Sequence, residues 1–114
     1  MIPHISPKEL ANWLAQCPTE NGMPVLLDVR EPWELQTASV NPSGLELMAI
    51  PMHTVPLRLK ELSHQRPVAC LCHHGARSAQ IAYYLVNQGF ENVVNIRGGI
   101  HAWSQELDPT VPQY

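Results

Sequence analysis

The 114 residues are 45% apolar and carry seven Lys and Arg against ten Asp and Glu, a formal net charge of −3 with histidine neutral. That length suits one domain, 1–114, with a core of its own, and is short for two. The scattered cations offer no nucleic-acid or anionic-lipid face, no apolar run approaches the ~20 residues of a membrane span, and the start "MIPHISPKEL" lacks a signal-peptide pattern, so a cytoplasmic location is expected.

In chain order, "SPKEL" reads as a helix start, with Ser6 as N-cap, Pro7 in the first turn and Glu9 completing a capping box. This helix is expected to run through Trp13 and Leu14 and to stop before Pro18. After the turn "NGM", the short apolar run "PVLLDV" reads as a strand buried on both faces. "EPWEL" begins a short helix with Pro32 near its first turn. The pattern from Thr37 to Pro51 is weak: "NPSG" is a turn and "LMAIPM" holds a short strand. "TVPLRLKELS" reads as a short helix with Thr54 as its cap.

"PVACL" is a further buried strand, and "RSAQIAYYLVNQ" is an amphipathic helix with Ile81, Ala82, Leu85 and Val86 at helical spacing. Gly89 stands where a C-terminal cap belongs. "NVVNI" is another strand, "RGG" a turn and "IHAWSQEL" the last helix, and residues 107–114 are expected to form an extended tail. Apolar strands alternating with helices imply an α/β fold with a parallel sheet covered on both faces. Ligands of such sheets sit beyond the carboxyl ends of the strands.

Three cysteines, Cys17, Cys70 and Cys72, make an odd count that argues against a disulfide framework and fits a reducing compartment. Strand alternation is taken to set Cys70 and Cys72 on opposite faces. Cys70, inside the strand, and Cys17, near a helix end, read as packing residues. Cys72 differs, because it lies between a strand end and a helix start. Free backbone N–H groups and the helix dipole favour an anion and a thiolate there.

Gly75 lets the loop curl with its N–H groups inward. Arg77 adds positive charge at the rim or braces the loop, and Ser78 is a natural cap for the next helix. Cys72 therefore reads as a nucleophile lying in an anion cradle formed by His73, His74, Gly75, Ala76 and Arg77. Adjacent Cys and His side chains converge poorly on one ion, so no metal and no cofactor is expected.

Two long segments carry a family likeness. "LLDVREPWE" and "CHHGARSAQIAYYLVNQGFENVVNIRGGIHAW" resemble the rhodanese family of sulfurtransferases, with the D-V-R-E segment, the C-x-x-G-x-R-S loop and the G-G-x-x-A-W ending in the family's order. The resemblance implies a three-layer domain with a central, mostly parallel, five-stranded sheet flanked by helices. It implies catalysis by Cys72, with a loop from His73 to Arg77 that cradles the transferred sulfur, and support from Asp28, Arg30 and Ser78. Gly98, Gly99 and Trp103 match the family's final turn and packing aromatic.

The activity implied is transfer of a sulfane sulfur from a small donor such as thiosulfate, through a Cys72 persulfide, to cyanide or a cellular thiol. A sulfur-accepting protein is a further class of partner. Two rivals stand beside this reading. One is a non-enzymatic sulfur-carrier or interaction module. The other is a cysteine phosphatase or arsenate reductase, which the four residues between Cys72 and Arg77 disfavour, because so small a nest suits one sulfur atom rather than a tetrahedral phosphate.

Overall fold

The computed structural model describes residues 2–114. Five strands form one sheet: β1 (His4–Ile5), β2 (Val25–Asp28), β3 (Glu46–Ala49), β4 (Val68–Leu71) and β5 (Val93–Ile96). Their order is β1-β5-β4-β2-β3, and every pairing is parallel. Four α-helices accompany them: α1 (Leu10–Gln16), α2 (Pro32–Thr37), α3 (Ala76–Asn87) and α4 (Gly99–Glu106). The mostly parallel sheet expected from the family is thus parallel throughout.

The sheet separates two apolar layers, as strand alternation requires. On one face Val25, Leu27, Val29, Val68, Cys70 and Cys72 meet Ile81, Ala82 and Leu85 of α3, together with Val55 and Leu62. On the other face Leu26, Ala69, Leu71, Val94 and Ile96 meet Leu10, Ile100 and Trp103. β2, β4 and β5 are buried along their whole length, hence their continuous apolar sequence. Cys70 and Cys72 belong to the same layer, which corrects the expectation of opposite faces. Residues two apart on a strand share a face, and it is neighbours that alternate.

Local signals hold at most helix ends. Glu9 reaches back to the Ser6 amide at 2.7 Å, and the capping box is complete, although the first turn, Pro7–Glu9, is a tighter 3₁₀ turn. After α3, Gly89 takes φ +96°, its N–H bonds the Val86 carbonyl and the Phe90 N–H bonds that of Leu85. That is a Schellman ending, with buried Phe90 packed in the same layer as Leu85. The "TVPLRLKELS" expectation needs correction: Pro56–Glu61 is 3₁₀ in type, Arg58 breaks its geometry, and Thr54 ends a preceding 3₁₀ turn instead of capping this one.

The sheet topology positions the site. From β2 the chain moves outward to β3, then returns to place β4 on the other side of β2. At this reversal the carboxyl ends of β2 and β4 lie side by side, the place in open α/β sheets where ligands bind. The segment after β2 supplies Arg30, and the segment after β4 supplies Cys72 and its loop.

Candidate active site

Cys72 immediately follows β4, and its side chain is almost fully enclosed. The chain then turns through His73 and His74 to Gly75, which adopts φ +105° and precedes the first residue of α3. An L side chain is strained at that angle, and a Cβ there would press to 3.2 Å of the Gly98 nitrogen. The Gly75 N–H consequently points inward and donates to Cys72 Sγ at 3.0 Å. Ala76, Arg77 and Ser78 form the first turn of α3, where N–H groups have no intrahelical acceptor. The positive end of α3 is therefore directed at the cysteine loop.

The second wall comes from the turn before α4. Ile100 and His101 donate their N–H groups to the carbonyls of Cys72 and His73 at 2.8 and 3.1 Å. Gly99 allows this approach, since a Cβ on it would lie 2.4 Å from both carbonyl oxygens. Turning these carbonyls toward α4 leaves the loop's amide side free to face the sulfur. Gly98 and Gly99, expected as a structural turn, thus hold the cradle from behind.

Arg77 braces the loop. Its guanidinium grips Glu34 of α2 at 2.6 and 2.8 Å, and the Glu34 side chain is only 3% exposed. The Arg77 hydrogen bonds, aided by one from the Tyr114 hydroxyl and opposed by burial, hold the Glu34 carboxyl down at about 2. Glu34 in turn holds the Arg77 guanidinium in its charged form. Asp28 and Arg30 form the buried pair that the resemblance implied, with Nη2 to Oδ2 at 2.7 Å and Nε to Oδ1 at 2.9 Å. Arg30 also donates to the Glu34 carbonyl at 3.2 Å and to the Tyr114 hydroxyl at 3.0 Å. The two arginines are linked through this hydroxyl and Glu34, because Tyr114 donates its own hydrogen bond to the Glu34 carboxylate at 2.7 Å.

The loop histidines line the rim. His73 is sandwiched between the rings of His74 and Tyr114, each with its centroid at 3.9 Å, and His74 faces His101 at 5.3 Å. Burial, and then the neighbouring His74, lower the His73 pKa, which favours a neutral ring. Cys70 is fully buried, and burial, followed by the adjoining Cys72, pushes its thiol far up, as suits a packing residue.

Ser78 departs from its expected role. Gly75 occupies the cap position, while Ser78 lies within the first turn, fully buried, with its hydroxyl 3.3 Å from Cys72 Sγ. Glu34, Tyr114 and Asn95 were not identified in the sequence, and all three belong to this cluster. Asn95 did leave a signal: it is the one polar residue in "VVNI", a strand otherwise apolar and wholly buried. Glu34 and Tyr114 left none, since an acidic residue in a helix's first turn and an aromatic in a proline-rich tail are common.

The arrangement is an enclosed thiol at a helix N-terminus that accepts the Gly75 N–H, with the Arg77 guanidinium of its loop already paired to Glu34. Similarity to known proteins agrees with this. A curated "Sulfurtransferase" of Allochromatium vinosum is 39% identical over 111 residues, which cover 97% of this chain and 96% of the relative. "Thiosulfate sulfurtransferase GlpE" of Vibrio cholerae is 33% identical over 89 residues, 78% of this chain and 80% of the relative. Other curated relatives are longer proteins, of which the match spans 20% to 30%.

Among solved structures, a rhodanese-like domain protein from Staphylococcus aureus superposes with a TM-score of 0.73 at 29% identity, covering 99% of both chains. The family description "Rhodanese-like domain" matches residues 6–106. With its parallel α/β sheet, its cysteine loop and sulfurtransferases among its relatives, this chain belongs to the rhodanese-like family.

Proposed function

We propose that this protein is a cytoplasmic sulfurtransferase that carries sulfane sulfur as a persulfide on Cys72. The carrying observation is the position of Cys72 Sγ, at the N-terminus of α3 and 3.0 Å from the Gly75 amide. The Cys72 thiolate attacks the outer sulfur of thiosulfate. The S–S bond of the donor breaks, sulfite departs with the bonding pair, and a Cys72 persulfide remains. Cyanide or a cellular thiol then attacks the terminal sulfur, which leaves as thiocyanate or a new persulfide, and the thiolate is restored. Fixed dipoles of the loop oppose the negative charge on sulfur throughout and need no reorganisation. Sulfite and thiolate are adequate leaving groups, so no general acid is required.

Asp28 and Arg30 are assigned supporting roles, as is Arg77. With Arg77 bound to Glu34, recognition of the donor falls on the amides from His73 to Arg77. The test is to incubate the protein with thiosulfate and determine its intact mass. One added sulfur is expected, absent in Cys72→Ser and removed by a thiol. No gain with any sulfane donor would overturn the proposal and leave an interaction module. Fast turnover of an aryl phosphate, lost in Cys72→Ser, would favour phosphatase chemistry instead.

A further inference from the structure

The Ser78 hydroxyl has one proton and three neighbouring acceptors. Cys72 Sγ and the Gly75 carbonyl lie at 3.3 Å, and Asn95 Oδ1 lies at 2.5 Å. The orientation of the Asn95 amide decides among them. Its other end is 3.1 Å from the Gly75 carbonyl and 3.0 Å from His4 Nδ1. A carbonyl can only accept, so the NH₂ group must face Gly75 and the amide oxygen must face Ser78. Asn95 is 2% exposed on β5, level with Cys70 in the ladder, and has no room to choose otherwise. A short contact to an obligate acceptor claims the Ser78 proton. Ser78 then presents a lone pair to Cys72, an arrangement that suits S–H and not S⁻.

We propose that Asn95 is a positioning residue that draws the Ser78 proton away from Cys72 and so biases the resting sulfur toward its protonated form. The Gly75 amide works in the opposite sense, since it donates to sulfur directly. The two together set how readily an empty Cys72 ionises. When the sulfur becomes anionic, Ser78 turns its proton to Sγ, because a charged acceptor outcompetes a neutral one. This move leaves the buried Asn95 oxygen without its donor, and that loss opposes ionisation. The inference rests on Cys72 as the reactive thiol of the proposed function, but not on which atom it transfers.

Other titratable groups surround Cys72. Cys70 shares its core layer, and Arg77, paired with Glu34, lies across the loop. His73 and His74 stack on the rim beside His101, and His4 stands beyond Asn95. Substituting Asn95 leaves all of them in the chain.

The experiment titrates the thiolate of Cys72 by its ultraviolet absorbance, taking the difference between each protein and its Cys72→Ser counterpart, with no sulfur donor present. Asn95→Leu removes the short acceptor and leaves the Ser78 proton to Sγ, which when anionic outcompetes the neutral Gly75 carbonyl. The midpoint is expected to fall by about one pH unit, the scale of one hydrogen bond to a charged group. Asn95→Asp keeps the shape, retains an acceptor and adds negative charge, and its midpoint is expected to rise. General loosening of the site would move both variants in one direction. In a Ser78→Ala background, Asn95→Leu is expected to cause no fall.

An unchanged or raised midpoint in folded Asn95→Leu overturns the proposal, as does a fall that persists without Ser78. Asn95→Ala serves in the same comparisons should leucine not fold. Because the readout needs no persulfide, failure here and failure of sulfur loading are separate results.

Discussion

Glu34 and Arg77 are separated by 43 residues in the chain, yet their side chains meet in two hydrogen bonds of 2.6 and 2.8 Å. The contact ties α2, which follows β2, to the cysteine loop, which follows β4. It also shapes the electrostatics around Cys72, because the guanidinium that follows it in the loop is paired with a buried carboxylate. On the proposed function, anion binding would then fall to backbone dipoles, which are directional and cannot be neutralised by a counterion.

Breaking this pair should cost stability before it alters chemistry. Arg77→Ala strands a carboxylate that is nearly enclosed, and removal of one partner of such a pair costs about 3–5 kcal/mol when both are buried. Arg77 is 35% exposed, so a loss of roughly 2–3 kcal/mol is expected, allowing for screening. Urea unfolding measures it. Little loss of stability together with a large rise in KM for thiosulfate would show that Arg77 binds donor rather than braces the loop.

Acid should weaken the protein through Glu34. Its carboxyl sits at about 2 in the fold, against ~4.3 in an unfolded chain. The folded value is depressed, so the contribution is complete above the unfolded value and is lost as pH falls from about 5 toward 2. The difference is worth on the order of 2–3 kcal/mol. Glu34→Gln should flatten the decline over that window in denaturant midpoints against pH. An equally steep decline would assign the effect to other carboxylates.

The two buried cysteines should separate cleanly. Cys72→Ser is expected to fold normally and to take up no sulfur from any donor. Cys70→Ser places a hydroxyl in a core layer, at a cost of about 1–3 kcal/mol, while sulfur loading persists. Intact mass after donor treatment and a thermal melt decide it. Loading in Cys72→Ser, with none in folded Cys70→Ser, would reverse the assignment.

Gly99→Ala should disable the cradle. The added Cβ meets the carbonyls of Cys72 and His73 at 2.4 Å, at a φ of +59°. A stability loss of at least ~2 kcal/mol is expected from strain and displacement, together with loss of sulfur loading. Gly89→Ala is the control: its φ is also positive, but the nearest atom is 3.5 Å away on His64. It should cost only about 1 kcal/mol and leave loading intact.

Tyr114 should act through its hydroxyl and its ring separately. Tyr114→Phe keeps the stack on His73 but removes the bonds to Arg30 and Glu34, for a loss of about 1–2 kcal/mol. Tyr114→Ala also uncovers His73, whose pKa burial lowers, and its imidazole titration by NMR should move upward. An unmoved His73 titration would place the source of its desolvation elsewhere.

The sequence by itself determined the alternation of strands and helices, the capping box from Ser6 to Glu9, the Gly89 ending of α3, and the place of Cys72 at the mouth of a strand. Each is a local property, written in apolar spacing, in turn residues and in the four positions between Cys72 and Arg77. The strand His4–Ile5 escaped because two residues carry no periodicity, and it is a strand only because β5 lies alongside it. Ser78 was legible as a helix-start residue, but its partners are Asn95, 17 residues away, and the cysteine. Tyr114 reaches Glu34 across 80 residues and Arg30 across 84. Tertiary structure alone decided these contacts, since burial brings polar groups from distant segments into a space where each must find a partner.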